Sequence, residues 1–593
     1  MGRPDHWAGR QGDGRQGDGH QGDAARVDAN RGRRPGGHWL RGPWPAETWL
    51  PAAGVYIGAG LIALPLLSIA IRALLLWSDD APHVSAGNLI GLVTDLRFSF
   101  ALFNTLVAGA FATVFSLALG GGLAFLVCRT DMPGRGLLEW LNLAPFFLSP
   151  YVGAISWIYL LAAHGGLIPT WLHTAYGVDP ERFNIYGVGG VIFVLTLFHT
   201  PYVCLLMSPV LRGMDPAFED AARAQGATLR YTLRHITLPL LLPALLSTAR
   251  IVFISSAGMF DVPFALGAPR GVRFIPTEIY ELTQYPPNLG RAAAFALMLL
   301  AVIGAVTFWQ RRLMATRQWG SFTGTAHRRA PIRLPWPGKI AALALEAAYL
   351  VAGVLAPLAV LVIVSLTRGW SGRLVWRAFT VINYDHVLGS FDLTRNAIAN
   401  SLFLALAAAT IGLLLAMTRS YYLSHAARHW RRINEALSLS IAVPGIVVGL
   451  GWLILAKGTP LYGTLSIILI AYIARPSLVA TRDINMNFGR VDPELEQIAR
   501  SAGAGWGQTL RHIVVPLARP ALIGSWLLLF AIALRELGST IMLYAQETET
   551  VSVVMVTLND RDAGAVAALA VLQMALLLVA FGLFQLSRMG RAA

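Results

Sequence analysis

Arg535 and Glu536, side by side in the apolar run LLLFAIALRELGSTIML, are the residues of this 593-residue chain best placed to sense a small charged solute. An ionisable side chain within a membrane-length apolar run costs about 2.5–3.5 kcal/mol on insertion scales, which makes it a functional candidate by default. Neighbours on one helix point about 100° apart, so these two cannot pair as residues four apart do. Each must find another partner in the bundle interior or a watery cavity. Two readings stand: a structural salt bridge between helices, or part of a solute pathway. Asp261, near the outer end of an earlier run, joins them as a pathway candidate. So does His199, in the helix-breaking sequence His199-Thr200-Pro201, although helix packing is favoured over metal ligation there. Tyr280, Glu281 and Tyr285 lie in an outer loop. The chain has no GxxxxGK[ST] phosphate cradle, so it cannot hydrolyse ATP by that route. It also has no HExxH or GxSxG, and Cys128 and Cys204 support neither a disulfide framework nor a Cys-based metal site.

The elements that must position these charges are membrane spans. The chain is 55% hydrophobic and only 13% charged, which excludes a soluble protein of this size. Its net charge of +15 suggests nucleic acid at first, but the basic residues collect in alternate loops between apolar runs, the positive-inside pattern of a polytopic membrane protein. About twelve runs are long enough to span, near 52–77, 102–127, 141–163, 187–211, 238–260, 290–309, 340–366, 396–417, 437–456, 463–481, 517–545 and 564–587. An even number puts both termini on one side. Arg-rich termini and the basic stretch 311–339 mark that side as cytoplasmic. Residues 1–45, rich in Gly, Arg and Asp, have nothing to bury and read as a disordered tail. The fold class is therefore all-α, polytopic.

One segment occurs twice. Asp215 to Pro239 reads DPAFEDAARAQGATLRYTLRHITLP, and 277 positions later Asp492 to Pro516 reads DPELEQIARSAGAGWGQTLRHIVVP. In each, Asp before Pro signals a helix start, a short helix follows, and Gly226 or Gly503 breaks it or admits another surface. An Arg- and His-containing turn then runs to Pro239 or Pro516 at the next span. The repeat divides the chain into a first half, 46–310, a basic linker, 311–339, and a second half, 340–593. With six spans each, the halves are parallel repeats about an axis along the membrane normal. Asn104-Thr105-Leu106 and Asn400-Ser401-Leu402, at equivalent places in the second span of each half, echo the duplication, and Gly120-Gly121-Gly122 reads as close helix packing.

The repeated segment resembles the cytoplasmic loop of ATP-binding-cassette (ABC) importer permeases: Glu-Ala-Ala, three residues, Gly, nine residues, Ile-x-Leu-Pro. Here it reads Asp220-Ala221-Ala222, Gly226, Ile236, Leu238, Pro239, and then Gln497-Ile498-Ala499, Gly503, Ile513, Val515, Pro516. Both copies depart at the acidic position, and each has a Glu one residue earlier, Glu219 or Glu496. The layout, with Ala533-Leu534-Arg535-Glu536-Leu537, is similar to fused iron(III)-type permeases, over roughly residues 50 to 590. The resemblance implies two six-helix repeats of the type I importer kind in a prokaryotic inner membrane. It implies that the two loops dock on two copies of a separate ATPase, which holds ATP and Mg, and that this chain binds no cofactor of its own. A periplasmic or lipid-anchored binding protein would deliver the solute, iron(III) ahead of thiamine, phosphonates or polyamines. Lipid is a partner and nucleic acid is not. The competing reading is an ion-gradient-driven transporter of the major-facilitator type, echoed by Arg129-Thr130-Asp131-Met132-Pro133-Gly134-Arg135, but that fold gives no reason for a repeated 25-residue loop.

Overall fold

In a computed structural model, residues 49–77, 82–215, 217–315, 331–425, 442–488 and 493–589 are described. The N-terminal tail, the middle of the linker, the basic loop with Arg428, Arg431 and Arg432, and the helix-starting Pro216 and Asp492 lie outside them. Ten described helices are long and apolar enough to cross a membrane. The third expected span is a broken pair, Arg135–Phe147 and Pro150–Leu161, bent by 91°. At the ninth the described helix is the 12-residue Gly445–Ala456, too short to cross alone. Ten spans, or eleven counting the bent pair, is thus the described number. Helices dominate because each satisfies its own backbone groups in hydrocarbon. The strands described are Leu75–Trp77 and Pro82–Val84, three residues each, paired antiparallel beyond the first helix.

The helices repeat in length as well as order. Pro150–Leu161 and Gly445–Ala456 each have 12 residues, and Leu238–Ala257 and Val515–Leu534 each have 20. The echoed Asn-Thr and Asn-Ser pairs do the same work in both halves. The Asn104 amide donates to the Arg273 carbonyl (3.0 Å), and the Asn400 amide donates to the main-chain carbonyls of Glu547 and Glu549 (3.0 Å each). Their neighbours cap a following short helix: Thr105 accepts the Ile275 N–H at 3.0 Å and Ser401 accepts that of Val551 at 2.8 Å. A polar dipeptide in an apolar span is explained by these orphan backbone groups at a helix start.

The halves interlock. The first helix packs on the second half, where Ser68 donates to the Gly451 carbonyl at 2.9 Å and the fully buried Arg419 donates to the Gly54 carbonyl at 3.4 Å. Conversely, Glu346 on the second half's first span accepts from Asn142 of the first half at 3.3 Å. Of the glycine triplet, only Gly120 packs closely: a Cβ there would sit 2.8 Å from the Thr200 carbonyl, while at Gly121 and Gly122 it would meet open space.

Candidate functional site: the repeated loops and the charges between the halves

Both loops fold the same way. The first opens with Asp215 accepting the Ala217 N–H at 2.9 Å, a side-chain cap on the helix Ala217–Ala224. The second copy's helix is Pro493–Ser501. Gly226 and Gly503 each stand at φ 85°, a left-handed position that favours glycine. A six-to-one closing bond runs from Ala227 N–H to the Ala222 carbonyl (3.0 Å) and from Ala504 to Ala499 (3.0 Å). Nothing lies within 4 Å of a Cβ built at either glycine, so here they terminate a helix and are not sites of close approach. Beyond them the chain re-enters a helix through a π-turn, Leu233–Thr237 in one copy and Leu510–Val514 in the other. The cause is the second residue after each turn, Pro239 or Pro516, which lacks an N–H and crowds the carbonyl one turn back. Pro357 stands in the same relation to the π-turn Val351–Leu355.

The exposed face of the first loop carries Asp220, Ala221, Gly226 and Pro239, with Phe218 58% exposed and Ile236 half-buried. In the second, Gly503 and Pro516 are exposed, Glu496, Ala499 and Ile513 are half-buried, and Ile498 is 65% exposed. The Gln497 side chain lies outside the described set.

Glu219 turns the other way. Its carboxylate is 2% exposed, 2.7 Å from an Arg129 guanidinium nitrogen at the end of the second span, and it accepts the Thr237 hydroxyl at 2.7 Å. Glu219 thus ties the loop's first helix both to its own π-turn and to a membrane span. Arg129 also begins a joint with the linker's end. The Arg129 carbonyl accepts the Ile332 N–H (2.9 Å), the Asp131 N–H reaches back to Ile332 (3.1 Å), and the Asp131 carboxylate takes the Leu334 N–H (2.8 Å) and Lys339 ammonium (2.7 Å). Those donors, the Leu334 N–H first and Lys339 next, hold the Asp131 carboxyl below its ordinary range. Three consecutive residues therefore join the first loop, the second span and the entry to the second half. On the sequence, Glu219 reads as a displaced acid of the ATPase-coupling loop, whereas the structure buries it against Arg129. Its burial follows from helix phase, which the Pro-started eight-residue helix leaves unreadable.

Arg535 and Glu536 do not sit inside a helix, as the hydropathy of 517–545 suggests: Val515–Leu534 ends with Arg535 as its cap. Past the helix end the two side chains part. The Glu536 carboxylate accepts the Ser539 N–H (3.1 Å) and hydroxyl (3.0 Å), and it lies against Gly445 at the start of Gly445–Ala456, where helix-dipole charge favours an anion. Arg535 crosses to the first half, donating to the carbonyls of Phe146 and Leu148 (3.5 Å to the latter) and to the Tyr202 hydroxyl (3.3 Å). Asp261 is the first residue of Asp261–Leu266, half-buried just beyond the fifth span; burial first, and the nearby Glu536 charge next, push its carboxyl up to about 7, against the lowering pull of Arg535. The structure thus brings Asp261, Arg535 and Glu536 into one electrostatic neighbourhood. His199 is 1% exposed, with Nδ1 2.8 Å from the Leu195 carbonyl and 3.4 Å from Ser256 on the fifth span. Among the described residues no three His, Cys, Asp or Glu cluster as a metal site. Tyr285 is 96% exposed, and Tyr280 packs edge-on against Phe260 and Phe264.

The family model described as "Binding-protein-dependent transport system inner membrane component" matches residues 87–318. A molybdenum transport system permease protein of Mycobacterium tuberculosis is 30% identical over 263 residues, covering 44% of this chain and 90% of the relative. The chain belongs to the binding-protein-dependent transport permeases. A ferric transport system permease protein of Actinobacillus pleuropneumoniae is 25% identical over 456 residues, 76% of this permease and 65% of that one. An Fe(3+)-transport system permease protein of Haemophilus influenzae is 22% identical over 513 residues, 85% of this permease and 91% of that one. With ten long apolar helices among its described residues, this permease is a multi-pass inner-membrane transport component of the ABC type.

Proposed function

We propose that the chain is the fused, two-half permease of an ABC importer, passing a small solute, iron(III) by preference, from an external binding protein to the cytoplasm. The observation that carries this reading is the pair of loops, each a short helix, a left-handed glycine and a proline-driven π-turn in the same register. Two equivalent docking surfaces on one chain call for two copies of an ATPase, which would hold ATP and Mg. On this reading both termini and both loops face the cytoplasm, the halves are 46–310 and 340–593, and this chain supplies geometry and a gate without chemistry of its own. The exposed Asp220 and hydrophobic Phe218 and Ile498 suit a groove on the ATPase.

The ferric relatives support iron(III), since they match both halves of the chain. The Asp261 and Glu536 carboxylates would present oxygen to a hard cation, and Arg535 to an accompanying anion. The molybdenum relative favours an oxyanion as the second reading. Cells lacking the chain, and complemented cells, would be assayed for uptake of labelled iron(III) and molybdate. Energy-dependent iron uptake that tracks the chain supports the proposal. Unchanged iron uptake with lost molybdate uptake overturns the iron preference.

A further inference from the structure

We infer that Arg535 is a latch between the two halves, holding the bent third span of the first half and releasing it when the pathway opens. The inference rests on the permease reading above and deepens it at the level of the gate.

The third span bends by 91° between Arg135–Phe147 and Pro150–Leu161, and a bend of that size frees main-chain carbonyls that a continuous helix would satisfy. At membrane depth such groups persist only where protein or a watery cavity supplies donors. The donor here comes from the other half. The Arg535 guanidinium reaches the carbonyls of Phe146, in the last turn before the break, and of Leu148, within it, and the Tyr202 hydroxyl on the fourth span. Its carbon also lies 4.3 Å from the centre of the Phe146 ring, a cation–π contact. These partners are two carbonyls, a phenol and a ring, all in the first half and none a carboxylate. A planar fork with five N–H groups can hold two carbonyls and a phenol together, which an ammonium cannot do from one point.

The pseudo-symmetric position shows that the latch is one-sided. The repeat offset of 277 places Gly258 opposite Arg535. Gly258 packs directly on the second half, where a Cβ would lie 2.6 Å from the Pro444 ring, next to the start of Gly445–Ala456. One crossing is therefore a bare glycine contact and the other a hydrogen-bonded cation. Separating the halves strips the Phe146 and Leu148 carbonyls of their donor, so opening must coincide with water or solute reaching them.

The test uses the full-length chain in lipid nanodiscs without ATPase, with Cys128 and Cys204 replaced by Ser. Spin labels at Trp171 and Tyr462, both more than half exposed on outer segments of opposite halves, report the distance between the halves. The wild type should give one dominant distance. Arg535→Met should populate a second distance at least about tenfold more than the wild type, with Arg535→Lys between them. An Arg535→Met protein that folds but keeps the wild-type distribution overturns the latch, even if its thermal stability falls. If Arg535→Met does not fold, the polar Arg535→Gln, which removes the charge and the planar fork, takes its place. A displaced distance there supports the latch, and an unchanged one overturns it. Because no ATPase is present, failure of an ATPase to associate with the chain would overturn the importer reading and leave this readout standing.

Discussion

Replacing Glu219 with Gln keeps the size of the side chain and its capacity to accept from Thr237, but removes the negative charge facing Arg129. Both members of this pair are buried, with side chains 2% and 6% exposed, so solvent screening is slight. Removing one partner of such a pair strands the other charge, at a cost of about 3–5 kcal/mol. The penalty falls on the attachment of Ala217–Ala224 to the second span, because that helix is what Glu219 carries. At about 1.4 kcal/mol per factor of ten, local opening of the loop becomes about 10²- to 4 × 10³-fold more populated. Hydrogen exchange with mass spectrometry on the chain in nanodiscs should show faster exchange in peptides covering 217–237, with exchange in the distant helix Ile275–Glu281 unchanged. Arg129→Met should act in the same direction. The double variant should be less damaging than the sum by at least about 1 kcal/mol, since the stranded charge is then gone. Additive effects, or wild-type exchange in Glu219→Gln, would refute the claim that this pair ties the loop to the membrane.

Glu substituted at both Gly226 and Gly503 costs about 1–2 kcal/mol of backbone strain at each site, because the space around them is open and only the positive φ is resisted. Membrane insertion should survive while ATPase association and uptake fall; normal association in affinity purification would remove the loops from the docking role. At Asp131 the folded carboxyl lies below its unfolded value, so its contribution is present above that unfolded value, near pH ~4, and is lost as pH falls through the folded one. Protection of the Leu334 amide, relative to its intrinsic exchange rate, should therefore fall below about pH 4 in the wild type, and Asp131→Ala, which has no acceptor, should lack that protection at every pH; wild-type protection that does not change with pH would contradict the joint. Gly58→Ala places a Cβ 2.1 Å from an Arg419 nitrogen, an overpacking worth about 1–3 kcal/mol, which Arg419→Met should relieve in a thermal-shift assay.

Much of this architecture is legible in the sequence because it is written twice. The 277-residue offset locates both loops, and the Asn-Thr and Asn-Ser echoes mark positions that turn out to cap equivalent short helices. Periodic composition does not reveal breaks inside apolar stretches. The third span's bend lies between Phe147 and Pro150, yet the run 141–163 is apolar enough to read as one helix despite Pro145 and Pro150. The end of Val515–Leu534 is hidden in the same way, so Arg535 and Glu536 read as neighbours on a helix face although they leave a helix end in different directions. The inward turn of Glu219 and outward turn of Asp220 depend on the angle at which a two-turn helix leaves the membrane. That angle is set by Arg129, 90 residues away in sequence, and no local pattern encodes it.

The central claim is that two loops on one chain each engage an ATPase. Mild-detergent purification of the chain from its own membranes, followed by mass spectrometry and stoichiometry of what accompanies it, tests this most directly. The account predicts a P-loop ATPase at two copies per chain, lost from the variant with Glu at Gly226 and Gly503. An intact chain that repeatedly purifies alone, in membranes where its uptake follows an ion gradient and ignores ATP, would contradict it.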